Sequence, residues 1–150
     1  MAAIERSISA LIALLVLVWP LQADRAADVR SEISYIATAL SSGNPADAMT
    51  PFDKSFANYD KLGSYFQGLT AFQVENEIDI TDEQDTETDT KLTVNWSLTL
   101  TDLGNDSTEQ RSGDINVRLV LRDGKWKIVD FSPISLFNPQ QNRAPKHQNR

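Results

Sequence analysis

With one histidine and no cysteine among 150 residues, any proton chemistry here falls to carboxyl and phenol groups. The histidine, His147, lies close to the C-terminal end, where it cannot join a buried dyad. Imidazole-dependent dehydration, a histidine triad and a histidine metal site are therefore not expected. The missing cysteines exclude thiol catalysis, disulfides, zinc–thiolate sites and a lipid-anchored cysteine. A carboxyl group moves protons near neutral pH only if burial or a neighbour shifts its pKa. Asp130 is the acid best placed for that. Counting by two from Trp126 and Ile128 puts it on their face, at a strand end. There it is either an acid at the mouth of a pocket or an exposed rim carboxylate paired with a lysine or a backbone group. Asn76 falls in phase with Val74 and Ile78. It is either a polar group inside an apolar face or turned outward by a bulge. Asp53, beside Phe52 at a helix start, reads as a cap.

The remaining acids cluster without a chemical pattern. Asp82, Glu83, Asp85, Glu87 and Asp89 crowd the stretch Thr81–Thr90. Calcium favours carboxylates, but the glycine at the bend and the distal glutamate of an EF-hand are missing. A solvated hairpin end is the plainer reading. The sequence calls for no cofactor and no metal. A net charge of −7 argues against nucleic acid as a partner. The one local excess of positive charge is the C-terminal stretch, with Arg143, Lys146 and Arg150.

These side chains need elements to hold them. Leu92, Val94, Trp96, Leu98 and Leu100 alternate with Thr93, Asn95, Ser97 and Thr99, and Ile115, Val117, Leu119 and Leu121 repeat the device. A period of two gives each run one apolar face. Asp123-Gly124 suits a type I′ turn into a strand carrying Trp126 and Ile128 on one face, Val129 and Phe131 on the other. Ser132-Pro133 ends that strand. Upstream, Phe72, Val74, Ile78 and Ile80 alternate in a further strand, and Asp102–Ser107 reads as a second turn. Helices come first in the chain. Val29, Ile33, Ile36 and Leu40 recur at helical spacing over Asp28–Ser41, and Ser42-Gly43 stops that helix. Asn44-Pro45-Ala46-Asp47 starts another of about one turn, and Thr50-Pro51-Phe52-Asp53 restarts one that sets Phe52, Phe56 and Tyr59 on a face. Lys61–Gln67 forms a third short helix with Leu62, Tyr65 and Phe66, ended by Gly68.

The ends read differently. Residues 1–23 read as a signal peptide: Arg6, then the apolar run Ile8–Trp19, then Pro20 and a small residue, Ala23, at the cut. The run is short for a membrane span. An uncleaved anchor, the only expected contact with a membrane, is the alternative. Export to the periplasm or the medium follows from cleavage. A domain over 24–137 would then be followed by a disordered polar tail, 138–150, with Pro139, Pro145 and glutamines.

The helices, the four-stranded antiparallel meander and the run Asp123-Gly124-Lys125-Trp126-Lys127-Ile128, with its exit Asp130-Phe131-Ser132-Pro133, resemble the nuclear transport factor 2-like superfamily over roughly Val29 to Phe137. The resemblance implies an α+β cone: a curved antiparallel sheet of about four main strands wrapped on N-terminal helices, with a pocket between them. Enzymes of that superfamily, such as ketosteroid isomerase and scytalone dehydratase, place an acid inside the cone. Fold alone does not imply function. A cone pocket here would draw on Tyr35, Phe56, Tyr59, Tyr65, Phe66, Asn76, Trp96 and Trp126. The tyrosines either project hydroxyls into it or pack their rings on the sheet. Trp96 and Trp126 read first as core and second as the wall for a flat apolar ligand. The sequence favours an exported binding or accessory domain, for a small apolar ligand or a protein partner. A cofactor-independent isomerase or cyclase using Asp130 is the alternative. The resemblance also implies a possible dimer through the outer sheet face, which is polar here (Thr93, Asn95, Ser97, Asn116, Arg118), so that such a contact would be wet and weak.

Overall fold

The long alternating runs form one antiparallel sheet. The computed structural model describes residues 25–140, so the signal-peptide reading and most of the tail lie outside the described residues. Strands β1 (Phe72–Asp85), β2 (Asp89–Asp102), β3 (Thr108–Arg122) and β4 (Lys125–Ser132) lie in chain order across a four-stranded sheet. Every hand-over is a hairpin. The β3–β4 turn has Asp123 at φ 52° and Gly124 at φ 76°, the two positive angles that a type I′ turn needs. The inner faces of β2 and β3 are buried from Leu92 to Leu100 and from Ile115 to Leu119.

Helix α1, residues 25–41, lays Val29, Ile33, Ile36 and Leu40 on that face. Its end is a Schellman motif. Gly43, at φ 69°, donates to Leu40 O (3.2 Å), and Asn44 N donates to Ala39 O (2.9 Å). Asn44 then caps α2 (Pro45–Ala48) by accepting from Asp47 N at 3.4 Å. Helix α3 (Tyr59–Gly68) buries Leu62 and Phe66. No described helix is long and apolar enough to cross a membrane.

The restart expected at Thr50-Pro51 does not occur: 51–58 is a chain of turns. The open edge of β4 explains the difference. Ile128 N donates to Pro51 O (2.9 Å) and Asp53 N to Ile128 O (2.8 Å), so Phe52 bridges β4 in parallel. Edge groups that would face water find partners, and helix hydrogen bonds would have competed for the same atoms. Asp53 accepts from Ser55 N (2.9 Å) and pairs with Arg122 (2.8 Å) instead of capping a helix.

Phe52, Phe56, Phe66, Trp96, Phe131 and Phe137 fill the space between sheet and helices. Neighbouring ring centroids stand 5.2–6.2 Å apart, most of them edge to face. Phe131 is therefore inside, not on the outer face. Two polar ties cross this core. Trp96 Nε1 donates to Asn76 Oδ1 (2.9 Å), and Asn76 Nδ2 donates to Ala37 O and Ser41 Oγ (both 2.9 Å). The second tie is Arg111, a buried arginine that the sequence reading missed. It holds Glu109 by two nitrogens (2.9 and 3.3 Å) and donates to Leu136 O (2.9 Å) and Asn138 O (2.6 Å). That clamp carries the body of the domain past Phe137. Residues 138–140 belong to it rather than to the tail, with Pro139 packed so closely on Gly68 that a β-carbon there would lie 2.5 Å away.

Replacing Arg111 with Met should cost about 2–4 kcal/mol, because two carbonyls and a carboxylate lose their donor. Asn76→Ala should cost about 1–3 kcal/mol by orphaning the indole N–H. Adding Trp96→Phe to Asn76→Ala should cost less than the sum of the two single changes. Urea denaturation of the variants checks all three.

Candidate functional site at the open end of the sheet

Two extra residues decide which side chains reach the interior. Between Ile80 and Asp82 the register of β1 against β2 slips by one at Thr81. Before the slip, Ile78 and Ile80 face inward. After it, Glu83 lies opposite Leu92 and Asp85 opposite Thr90, both on the inner face. The acidic stretch is the solvated hairpin end expected, with Asp82, Asp85 and Glu87 exposed, except that Glu83 is half-buried. It continues β1 to Asp85, and Thr86 closes the hairpin on Asp89 (2.8 and 3.1 Å). The second slip lies between Arg118 and Leu119, opposite an extra Val129 in β4. It returns Phe131 to the core and turns Asp130 outward, where it is exposed opposite Arg118. Counting by two had placed Asp130 on the inner face; the bulge removes it.

The inward acids meet α1 at the end of the sheet. Thr90 is buried and donates from Oγ1 to Asp85 Oδ1 (2.9 Å). Arg30 Nη2 stands 3.6 Å from Glu83 Oε1. The neighbouring Asp85 carboxyl pushes the Glu83 pKa above its ordinary value. Burial and the Asp85 charge add to this, and Arg30 opposes it. Beside them a cavity of about 390 Å³ opens between the first described turn of α1 (Arg25, Ala26, Val29), the hairpin (Asp85, Thr86, Glu87), Thr90 and the indole of Trp126. Across Trp126 a groove of about 420 Å³ runs past Glu32, Tyr35 and Lys127. Burial raises the Glu32 pKa there, against the pull of Lys127. Lys127 Nζ itself donates to Thr50 O (2.9 Å). Among the described residues no three acids converge as a metal site.

The eight side chains expected to line a cone pocket do not converge. Trp96, Phe56 and Phe66 are buried in the filled core. Asn76 points inward, with its hydrogen bonds to Trp96, α1 and Ser41 spoken for. Tyr59 and Tyr65 are half-buried against the core. Tyr35 is 45% exposed, on the groove. Trp126 alone borders the cavity. Sequence reasoning missed Glu83, Asp85, Thr90 and the arginines of α1. One signal was present: Thr90 stands in phase with Leu92 and Val94, so the inner face of β2 begins earlier than its apolar run.

Stability should report the raised Glu83 pKa. A group whose folded pKa is raised contributes most below its ordinary pKa of 4.5 and loses that contribution as pH rises through the folded value. The parent's urea midpoint should fall as pH rises above about 4.5, and Glu83→Gln should flatten that fall. Parallel pH profiles would remove the carboxyl pair.

No family model matches the sequence, and no curated protein matches it. Solved structures do match in fold. A conserved protein from Planctomyces limnophilus aligns with a TM-score of 0.68 at 9% identity, over 75% of this chain and 95% of that one. A putative scytalone dehydratase from Novosphingobium aromaticivorans aligns at 0.65 and 13% identity, over 73% and 83%. A nuclear transport factor 2-like superfamily protein from Salmonella enterica aligns at 0.54 and 12% identity, over 69% and 87%. Such identities speak for architecture alone. Its curved, unclosed four-stranded sheet on N-terminal helices gives this chain the nuclear transport factor 2-like fold.

Proposed function

We propose that this is an exported binding domain without catalysis, whose ligand sits in the cavity at the open end of the sheet. The filled interior is the observation that carries this reading. Trp96, Phe66, Phe131 and Phe137 occupy the space where a cone pocket would lie, each at most 1% exposed. Among the described residues the end cavity offers a ligand room instead. One wall is apolar (Ala26, Val29, Trp126) and the rim is polar (Arg25, Asp85, Thr86, Glu87). That suits a small molecule with an apolar body and one hydrogen-bonding end. The leader-like residues 1–23 support export.

A second reading rests on the neighbouring carboxyls Glu83 and Asp85. A carboxyl with a raised pKa, Glu83, next to a second acid that lines a cavity is the equipment of a proton-transfer enzyme. In a cofactor-independent isomerase or cyclase, Asp85 would take a proton from a ligand while Glu83 holds its own. Asp130, turned outward, has no part in it.

Native mass spectrometry on protein made by an exporting bacterial host tests both readings. The expected result is a mature mass starting near Asp24 with an adduct that leaves on denaturation. Ala26→Phe should abolish the adduct by filling the cavity. A bare mass, or an adduct that survives Ala26→Phe, would overturn the cavity as the binding site. With the ligand identified, Asp85→Asn separates the two readings. Turnover falling by about 10²–10⁴ would establish the enzyme, and no turnover in the parent would leave the binding domain.

A further inference from the structure

Trp96 and Trp126 are both buried, but their N–H groups differ. Trp96 Nε1 donates to Asn76. Trp126 is 5% exposed, yet its indole N–H has no hydrogen bond among the described residues. Nor is that N–H sealed in, since the buried side-chain atom without a partner among those residues is Glu83 Oε1. The indole N–H therefore opens on the space that Trp126 borders. Glu83 Oε1 is the second unmet group, with Arg30 Nη2 too far, at 3.6 Å, to donate to it.

Charge around the end cavity is uneven as well. The lining carries two carboxylates, Asp85 and Glu87, against one cation, Arg25. Asp85 accepts from Thr90, while the Glu87 carboxylate is in no hydrogen bond or ion pair among the described residues. Arg30 faces Glu83, and the Asp85 carboxyl raises the Glu83 pKa in spite of it.

We propose that the end cavity takes a small organic cation: an amine with an apolar body and an oxygen acceptor near the nitrogen. This rests on the cavity being the binding site. The ammonium pairs with Asp85 and Glu87, since hydrogen bonds between two charged groups are the strong ones. The apolar body lies against Trp126 and Val29, and an indole face also attracts a cation. The oxygen accepts from the N–H that Trp126 leaves free. At about 390 Å³ the cavity lies at the small end of ligand pockets, which run from about 300 to 1,000 Å³, so a one-ring amine suits it.

Three probes that share a phenyl ring and a hydroxyl separate charge from shape: 2-amino-1-phenylethanol as the cation, 1-phenylethanol as the neutral form and mandelate as the anion. Each is titrated into protein from the exporting host while the indole N–H signals are followed by proton–nitrogen NMR. The Trp126 signal is the one lost in Trp126→Phe. The cation should move it and leave the Trp96 signal in place, at a Kd at least about tenfold below that of 1-phenylethanol, and mandelate should bind weakest. Asp85→Asn with Glu87→Gln should erase the preference for the cation and leave the 1-phenylethanol Kd within about twofold. Equal affinity for the cation and the neutral probe, or a preference for mandelate, would overturn the cationic ligand. If Ala26→Phe abolished that binding, the cavity itself would stand. A Trp126 signal that none of the probes moves, or shifts that survive Ala26→Phe, would overturn the cavity and this proposal with it.

Discussion

Side chains on a strand alternate between two faces, so one inserted residue exchanges the faces of everything beyond it. That constraint governs this molecule more than any single bond. Thr81 in β1 and Val129 in β4 are each such an insertion. The first carries Glu83 and Asp85 from the water side to the α1 side. The second moves Phe131 into the core and Asp130 out of it. Without them, the inner face would hold Asp130 among the aromatic rings and lack the acid pair at its open end. The bulges thus set both the composition of the core and the location of its polar chemistry.

Once the rings are inside, their polar atoms need partners. Trp96 is wholly buried, and an indole N–H in that position must donate or cost the domain its desolvation energy. Asn76 accepts from it and passes its own N–H groups to α1 and Ser41, so one amide ties sheet to helix. Arg111 does the same at the other end for the segment after Ser132. In both cases a single polar side chain among apolar neighbours fixes the register of an element that hydrophobic packing alone would leave free to slide.

The fold was legible because its signals are local. Alternation over Leu92–Leu100, the Asp123-Gly124 turn and the helical spacing of Val29, Ile33, Ile36 and Leu40 each point to one element. The candidate site was largely hidden because bulges leave no composition signature: nothing about Thr81 or Val129 says that it is the extra residue. The helix start expected at Thr50-Pro51 fails for a related reason. Its capping residues are genuine, but the edge of β4, far along the chain, offers Pro51 and Asp53 better partners. Arg111 was invisible for the same cause, since its partners lie at the C-terminal end of the fold. Asn76 was legible as an alternative, and the choice between its two positions depended on Trp96 and α1.

The ion pairs show a division of labour. Arg30, Arg111, Arg118 and Arg122 each face one carboxylate: Glu83, Glu109, Asp89 and Asp53. Arg118 grips Asp89 by two nitrogens, which lowers the Asp89 pKa, while Asp53 is lowered first by its hydrogen bonds from Ser55 and then by Arg122. Glu83 moves the other way although it also has an arginine, because its neighbour Asp85 is closer in effect than Arg30. That contrast singles out the end cavity. At Asp89 and Asp53 an arginine favours the charged carboxylate, which fixes structure. At the cavity two carboxyls stand together next to an indole wall, so the charge of a bound ligand would act on both. A ligand that brings a cation would favour the charged form of Glu83, and one that brings a hydrogen-bond acceptor would favour its protonated form.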